Sequence, residues 1–341
     1  MPLPRPELLA IVAAAAALIS AALIVLLRPL LVRYAMARPN ARSSHREPTP
    51  QGGGIAVIAA MFLVVAGIAL AAPAVLSDPF RLAVVFAATA GLAIVGAVDD
   101  MRPLGPTPRL ILQAVAVGAV IAALPTGLRV FPELPWWLER AGLLIGGIWF
   151  VNLVNFMDGI DWITVAETVP LTAALVLFGA AGALPADATL VAMALCGAMI
   201  GFAPFNRPVA QLFLGDIGSL PIGLLMTWLL ILLAQHHLAA ALLLPLYYLA
   251  DATVTLLRRL IRGERITQAH RNHFYQQAVD GKLRVLAVVG RIFATNIGLA
   301  GLAAATFISS AAVQALIVAC GAGLVLAVLI TFGRSKRAPV A

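Results

Sequence analysis

The sequence has little charge. Only 11% of its 341 residues are Asp, Glu, Lys or Arg, whereas 62% are hydrophobic. Soluble domains carry about 25% charged residues, so a water-soluble domain of ordinary size is excluded. A backbone that meets lipid must be helical or form a closed barrel, and long apolar runs favour helices. We therefore expect an all-α, polytopic integral membrane protein that forms one membrane-embedded domain over residues 1–341.

Cysteine is also scarce. Cys196 and Cys320 both lie inside apolar segments, which excludes a disulfide framework. The net charge of +8 would suit a nucleic-acid-binding protein. The basic residues, however, are placed where membrane topology puts them, so we expect a lipid bilayer as partner and no nucleic acid.

Apolar segments long enough to cross a bilayer recur along the whole chain. At roughly 20 residues per crossing, they predict about 11 transmembrane helices, the first of them retained after synthesis. The predicted spans are residues 7–27, 53–73, 81–98, 109–124, 140–155, 162–180, 188–204, 217–235, 238–257, 285–307 and 311–332.

Basic residues fix the predicted orientation, since Lys and Arg concentrate in cytoplasmic loops. With eleven spans, all but four of the 23 basic residues fall on one side; the exceptions are Arg5, Arg81, Arg129 and Arg140. We therefore predict a periplasmic N-terminus and a cytoplasmic C-terminus. The protein would lie in a bacterial inner membrane, with its polar loops on the cytoplasmic face.

The few acidic residues gather at one set of span ends. Ionised groups near hydrocarbon are costly unless they are paired or functional. Solvated span ends would account for one such acid, but less well for several on one face. These acids are Asp99, Asp100, Asp158, Asp161, Glu167, Asp216 and Asp251.

Two acidic motifs have the composition of a cation site. Asp99 and Asp100 are adjacent, so their charges repel each other and a divalent cation would relieve the repulsion. Asn152, Asn155, Asp158 and Asp161 follow at intervals of three residues. If the helix continues, they lie on one face and offer oxygen ligands suited to Mg²⁺. The alternative is a helix end capped by Asn and Gly.

Two further motifs suit phosphate. Asp216 lies between Gly215 and Gly218 just before an apolar span. A helix N-terminus there could bind phosphate, although Asp216 could equally be a simple N-cap. His270, Arg271 and His273 lie in a basic loop that could cradle phosphate or bind anionic lipid.

The order of these motifs resembles the polyprenyl-phosphate N-acetylhexosamine-1-phosphate transferase superfamily. Any one motif is weak, but five in order on one face are specific, and they cover most of the chain. They are His45-Arg46-Glu47-Pro48-Thr49-Pro50-Gln51-Gly52-Gly53, Asp99-Asp100, Asn152 to Asp161, Phe213-Leu214-Gly215-Asp216-Ile217-Gly218-Ser219, and His270-Arg271-Asn272-His273.

The resemblance implies a cytoplasmic cleft that binds Mg²⁺, or Mn²⁺ in its place, together with a UDP-N-acetylhexosamine and undecaprenyl phosphate. It implies catalytic roles for Asp99, Asp100, Asp216, His270 and His273, and metal ligation by Asp216 and Asn155. The residues implied to bind substrate are His45, Asn152, Asn155, Asp158, Asp161, Asn206, Phe213 and Arg271.

Three departures bear on the branch of the superfamily. Trp162 follows Asp161 where relatives often have glycine, Asn272 replaces the middle histidine of the loop, and the first loop lacks a lysine near Glu47. These favour the branch that initiates O-antigen over the phospho-MurNAc-pentapeptide transferases of peptidoglycan synthesis, which remain the alternative. The sugar and the oligomeric state, a homodimer included, stay open.

Two other classes compete with a transferase. An ion-coupled transporter would place its acids near the bilayer midplane, often in repeated halves. Here the acids gather at one face, and the sequence shows no repeat. A scaffold protein would not need this concentration of acids.

Overall fold

The computed structural model describes residues 6–37, 48–264 and 270–335. Twelve helices and one two-stranded antiparallel sheet make up this part of the chain. The helices are α1 (Pro6–Tyr34), α2 (Gly53–Ala71), α3 (Pro79–Met101), α4 (Pro106–Ala122), α5 (Trp136–Met157), α6 (Ile163–Ala180), α7 (Ala186–Phe202), α8 (Asp216–Leu243), α9 (Leu246–Ile261), α10 (Phe274–Asp280), α11 (Val285–Ala305) and α12 (Ala311–Ser335). The strands are β1 (Met36–Ala37) and β2 (Thr49–Pro50).

The prediction of an all-α polytopic membrane protein is confirmed. Nine helices in the described part are at least 18 residues long and apolar enough to cross a membrane. Each predicted span except 238–257 falls on one helix, including the weakest, 140–155, which lies within α5. Helices α4 and α9 have 17 and 16 residues, so the total of eleven crossings stays a prediction, as does the orientation.

Helix α8 is the centre of the bundle. Nearly all of its apolar residues are buried, and it packs against α2, α3, α5 and α11. Helices α1 and α12, by contrast, leave most of their apolar residues at least partly exposed. In a membrane protein such exposed apolar faces meet lipid.

One predicted boundary is wrong. The sequence prediction ends a span before His236 and begins the next after His237, but α8 continues to Leu243 with a kink at His237 (φ −135°, ψ 57°). The real break comes at Pro245, just before α9 begins. Proline has no N–H to continue a helix, whereas two histidines only lower the local hydropathy.

Glycines allow α8 to approach its neighbours closely. A Cβ on Gly54 of α2 would overlap the backbone of Gly218, and one on Gly96 of α3 would overlap the carbonyl group of Asp216. Backbones therefore touch where α8 begins, as small residues permit in membrane helix pairs. This contact places the end of α3 against the start of α8.

We expect Gly96→Ala to push α3 away from α8. Overpacking of this kind costs about 1–3 kcal/mol, so the apparent melting temperature of the protein in detergent should fall by several degrees. Gly91→Ala on the same helix is the control, because nothing lies within 4 Å of its added Cβ. Equal melting temperatures for both variants would contradict the close contact.

Candidate active site

The predicted polar residues gather at one end of the bundle. Asp99 and Asp100 end α3, Asn155 lies in the last turn of α5, and Asp216 begins α8. The chain thus brings three motifs separated by about 60 residues each to one place. What each side chain does there is decided by its hydrogen bonds.

Asp100 holds the start of α8. Its Oδ1 accepts a hydrogen bond from the backbone N–H of Asp216 (3.0 Å), and its Oδ2 accepts one from that of Ile217 (3.2 Å). The first N–H groups of a helix lack intrahelical partners and carry partial positive charge, so a carboxylate stabilises them. Gly215 makes room: it has φ +77°, and a Cβ there would lie 2.6 Å from Asp100 Oδ2. The catalytic role predicted for Asp100 stays a prediction.

Arg109 joins the remaining polar groups. Its Nη1 lies 2.9 Å from Asp99 Oδ2 and 3.5 Å from Asp216 Oδ2, and its Nη2 donates to Asn155 Oδ1. The other oxygen of Asp99 accepts the backbone N–H of Leu104 (2.6 Å). One planar guanidinium, in the first turn of α4, therefore binds oxygens from α3, α5 and α8.

Asn155 and Asp216 are also bonded directly. Asn155 Nδ2 donates to Asp216 Oδ1 (2.7 Å) and to Ser219 Oγ (2.8 Å). The amide is therefore oriented, with its oxygen facing Arg109. Asp99, Asn155, Asp216 and Arg109 form one continuous cluster, which we call the acid cluster.

The predicted polar helix face is corrected by the structure. Helix α5 ends at Met157, and Asp158 has non-helical angles (φ −80°, ψ 60°), so Asn152 and Asn155 lie on the helix but Asp158 and Asp161 lie in the loop beyond it. Gly159 comes directly after Asp158. It favours the end of the helix here, because fixing a glycine in a helix loses more backbone entropy than fixing other residues.

Asp158 still lies close to the acid cluster. It accepts a hydrogen bond from the Thr164 hydroxyl (2.6 Å). The pKa of Asp158 is raised to about 7, mainly by burial and in smaller part by the charges of Asp216 and Asp161, while the hydrogen bond from Thr164 lowers it. A carboxyl with this pKa is half protonated near neutral pH, and a cation bound nearby would restore its charge.

The other predicted pocket residues mostly support the surrounding loops. Asp161 Oδ2 accepts the N–H of Ala210 (3.1 Å). Asn206 accepts the N–H of Trp162 (2.8 Å) and donates to the carbonyl of Leu212 (2.9 Å). Their amide and carboxyl groups thus fix the loop between α7 and α8.

Trp162 is one of the departures from the superfamily pattern, and its contacts show how the chain accommodates it. It has φ +65°, the left-handed region that favours glycine, and it occupies the position where relatives often have glycine. Its indole N–H donates to the carbonyl of Ala203 (2.6 Å). This hydrogen bond and the Asn206 contact offset the conformational cost.

Asn152 and Phe213 take different positions. Asn152 Nδ2 donates to Gln113 Oε1 of α4 (2.5 Å) and to the carbonyl of Ile148 (2.8 Å), one turn away from Asn155. The Phe213 backbone pairs with the segment after β2, since its carbonyl accepts the N–H groups of Gly52 (3.1 Å) and Gly53 (2.9 Å). The end of the first loop is thereby tied to the start of α8.

The histidine loop is anchored by Asp251 of α9, which is fully buried. The carboxylate of Asp251 contacts the His273 ring (3.3 Å) and accepts the N–H groups of Phe274 (3.0 Å) and Tyr275 (3.2 Å). Tyr275 in turn donates its hydroxyl to the carbonyl of Phe156 (3.2 Å) at the end of α5. The loop therefore abuts the segment that carries Asp158.

The other residues of this loop lie beside the anchor. The His270 and His273 rings stack with centroids 5.0 Å apart, and Arg271 pairs with Asp280 (2.8 Å). His45, predicted to bind substrate, lies outside the described residues.

Comparison with known proteins bears on the identity of this site. Residues 82–234 match the model of glycosyl transferase family 4. A phospho-N-acetylmuramoyl-pentapeptide-transferase of Shouchella clausii is 30% identical over 62% of this chain and 69% of its own length. The chain belongs to glycosyl transferase family 4. It is therefore a phospho-sugar transferase of the kind that uses a polyprenyl phosphate, and the resemblance to the superfamily is confirmed.

Two other family 4 relatives show the breadth of the match. A phospho-N-acetylmuramoyl-pentapeptide-transferase of Synechococcus sp. is 35% identical over 54% of this chain and 55% of its own length. A probable undecaprenyl-phosphate N-acetylglucosaminyl 1-phosphate transferase of Bacillus subtilis is 23% identical, but over 82% of both chains. The family match includes the whole acid cluster, whereas the histidine loop lies beyond residue 234.

The acid cluster has the donors that a family 4 metal site would need. In the described residues, no three acidic, histidine or cysteine side chains are close enough to form a closed metal cage. Mg²⁺ does not require one, since it usually binds through one or two carboxylates and completes its shell with water and substrate phosphates. The Asp216 carboxylate and the Asn155 amide oxygen fit that requirement, and metal ligation by them stays a prediction.

Sequence reasoning missed Arg109. The prediction counted it only as a basic loop residue, because nothing in the sequence ties it to Asp99, Asn155 and Asp216, which lie 10, 46 and 107 positions away. Its place in the first turn of α4, after Pro106 and Pro108, was the one available signal. Tyr275 was missed for the same reason.

We expect Arg109→Lys to lower transferase turnover by on the order of tenfold or more. Lysine keeps the charge but loses the planar fork that reaches three oxygens at once. Arg102→Lys is the control, because Arg102 is an exposed arginine in the short segment just before α4. Release of the nucleotide product would be measured for both, and unchanged turnover in Arg109→Lys would contradict a bridging role.

Proposed function

We propose that this family 4 enzyme transfers an N-acetylhexosamine-1-phosphate, of GlcNAc type or a modified form, from a UDP-sugar to undecaprenyl phosphate. The reaction would release UMP at the cytoplasmic face of the inner membrane and initiate an O-antigen or related envelope polysaccharide. The observation that carries the proposal is the convergence of Asp99, Asn155 and Asp216 around Arg109 at one end of the bundle.

The chemistry of this reaction is a problem of charge. An oxygen of the lipid phosphate attacks the β-phosphorus of the UDP-sugar, and the bond from that phosphorus to the bridging oxygen breaks, so that UMP leaves. Both reactants are anions, and their approach requires positive charge and precise positioning. Bound Mg²⁺ would supply Lewis-acid neutralisation of the pyrophosphate, held by Asp216 and Asn155.

The chain's own residues have the remaining roles. Arg109, with two Nη groups directed at the cluster, provides a fixed cation next to the place where phosphates would lie. Asp99 orients Arg109 and the acceptor; a general base would add little, because a phosphate monoester is largely ionised at pH 7. Asp100 keeps the start of α8 in place, while His270, Arg271 and His273 would contact the donor.

Two observations favour a small hexosamine donor over the pentapeptide one. The Bacillus subtilis relative aligns with most of this chain, whereas the two pentapeptide transferases described above align with 54% and 62%. Asn272 and the lysine-free first loop point the same way. The pentapeptide reaction stays the second candidate, because those two relatives have the higher identities.

A donor screen tests this choice. We expect the purified protein in undecaprenyl phosphate micelles to form labelled lipid from a UDP-N-acetylhexosamine but not from UDP-MurNAc-pentapeptide. The reason is that the first loop has no lysine near Glu47, where Arg46 stands instead. Transfer from the pentapeptide donor alone would favour the second candidate, and failure with every donor would contradict the transferase proposal.

Asp216→Ala tests the proposed cation site. We expect loss of Mg²⁺-dependent turnover by at least about a hundredfold, because a charged ligand to the metal disappears. Mn²⁺ binding, followed by electron paramagnetic resonance, should weaken in parallel. Glu133→Gln, an exposed acid at the other end of the bundle, is the control for lost charge, and normal Mn²⁺ binding by Asp216→Ala would contradict its role as a ligand.

A further inference from the structure

A groove opens beside the C-terminal part of α1, outside the acid cluster. It has a volume of 590 Å³ and is lined by Val25, Arg28, Pro29, Val32 and Phe205. Phe205 belongs to the short 3-10 turn after α7. Pro29 lies inside α1, where a missing N–H and the ring both disturb the helix. Most of the groove lining therefore comes from one stretch of α1 that includes this proline.

The lining has two chemical parts. Val25 and Val32 lie seven residues apart and are 62% and 49% exposed. With Phe205 they form an apolar strip roughly 10 Å long at 1.5 Å per residue. Arg28 lies between them, is exposed, and has no ion-pair partner among the described residues. An apolar strip with one uncompensated cation fits an amphiphile that carries negative charge.

The groove lies at the same end of the bundle as the acid cluster. The side chain of Leu31, next to the groove on α1, lies 3.0 Å from where a Cβ on Gly52 would be. The N–H of Gly52 binds the carbonyl of Phe213, three residues before Asp216. Arg28 is thus near the membrane surface that the predicted orientation makes cytoplasmic, at the depth of lipid headgroups.

We propose that this groove binds one anionic glycerophospholipid. Its phosphate would pair with Arg28, and part of an acyl chain would lie along Val25, Val32 and Phe205. Because the groove lies outside the acid cluster, we assign it to a phospholipid of the bilayer and not to the polyprenyl acceptor. Binding here is independent of the proposed reaction.

Arg33 provides a matched control. It lies on the same helix, five residues further on, and its guanidinium stacks over the Tyr34 ring at 5.2 Å. Arg33 does not line the groove. General attraction of basic residues to an anionic membrane would affect both arginines alike, at about 1 kcal/mol each, whereas a groove site depends on Arg28 alone.

Native mass spectrometry of the delipidated full-length protein tests the proposal. We expect one phosphatidylglycerol to bind about fivefold more tightly than a phosphatidylcholine with the same chains, the factor that corresponds to about 1 kcal/mol. Arg28→Gln should reduce binding to the phosphatidylcholine level, and Arg33→Gln should leave it unchanged. Equal losses in both variants, or no preference in the wild type, would overturn the proposal.

A second variant tests the apolar part without removing charge. Val25→Trp should fill the groove from its lipid-exposed side and weaken both phospholipids, while the melting temperature stays near that of the wild type. Undecaprenyl phosphate should not displace the bound phosphatidylglycerol. Retained lipid in Val25→Trp, or displacement by undecaprenyl phosphate, would contradict the assigned occupant. Because the assay measures binding, its failure is separate from failure of the transferase reaction.

Discussion

The site depends on one electrostatic constraint. Several carboxylates lie close together at the end of a membrane helix bundle, and their charges must be compensated. Carboxylates near each other repel, and burial adds a desolvation cost. Here one guanidinium compensates them, since Arg109 binds Asp99, Asp216 and the amide oxygen of Asn155. Arginine suits this task because it stays charged and offers several donors in one plane.

The second carboxylate of the pair is stabilised in a different way. Asp100 accepts hydrogen bonds from the first N–H groups of α8. The dipoles of these backbone groups therefore offset its negative charge. Adjacent residues thereby have distinct tasks: Asp99 orients a cation, and Asp100 fixes the helix that carries Asp216. The close contact at Gly96 allows both, because a larger residue would separate α3 from α8.

On the other side of the site, a carboxylate also holds the histidine loop in place. Asp251 is buried and binds the N–H groups of Phe274 and Tyr275 together with the His273 ring, so a carboxylate within the bundle fixes a loop at its surface. Tyr275 then connects that loop to the end of α5. In the proposed reaction, the lipid phosphate and the nucleotide would therefore contact side chains whose positions are already fixed.

The sequence by itself determined the helical membrane class, the positions of the helices, the motif order and the family, because apolar length and residue identity are local properties. It could not place the end of α5 or the continuation of α8 through His237, since a helix end depends on what surrounds it. Only the tertiary structure decided that Arg109 binds oxygens from α3, α5 and α8, that Asp100 caps the start of α8, and that Asn152 bonds to Gln113. Those contacts join residues far apart in the chain, and a single sequence holds no distance between them.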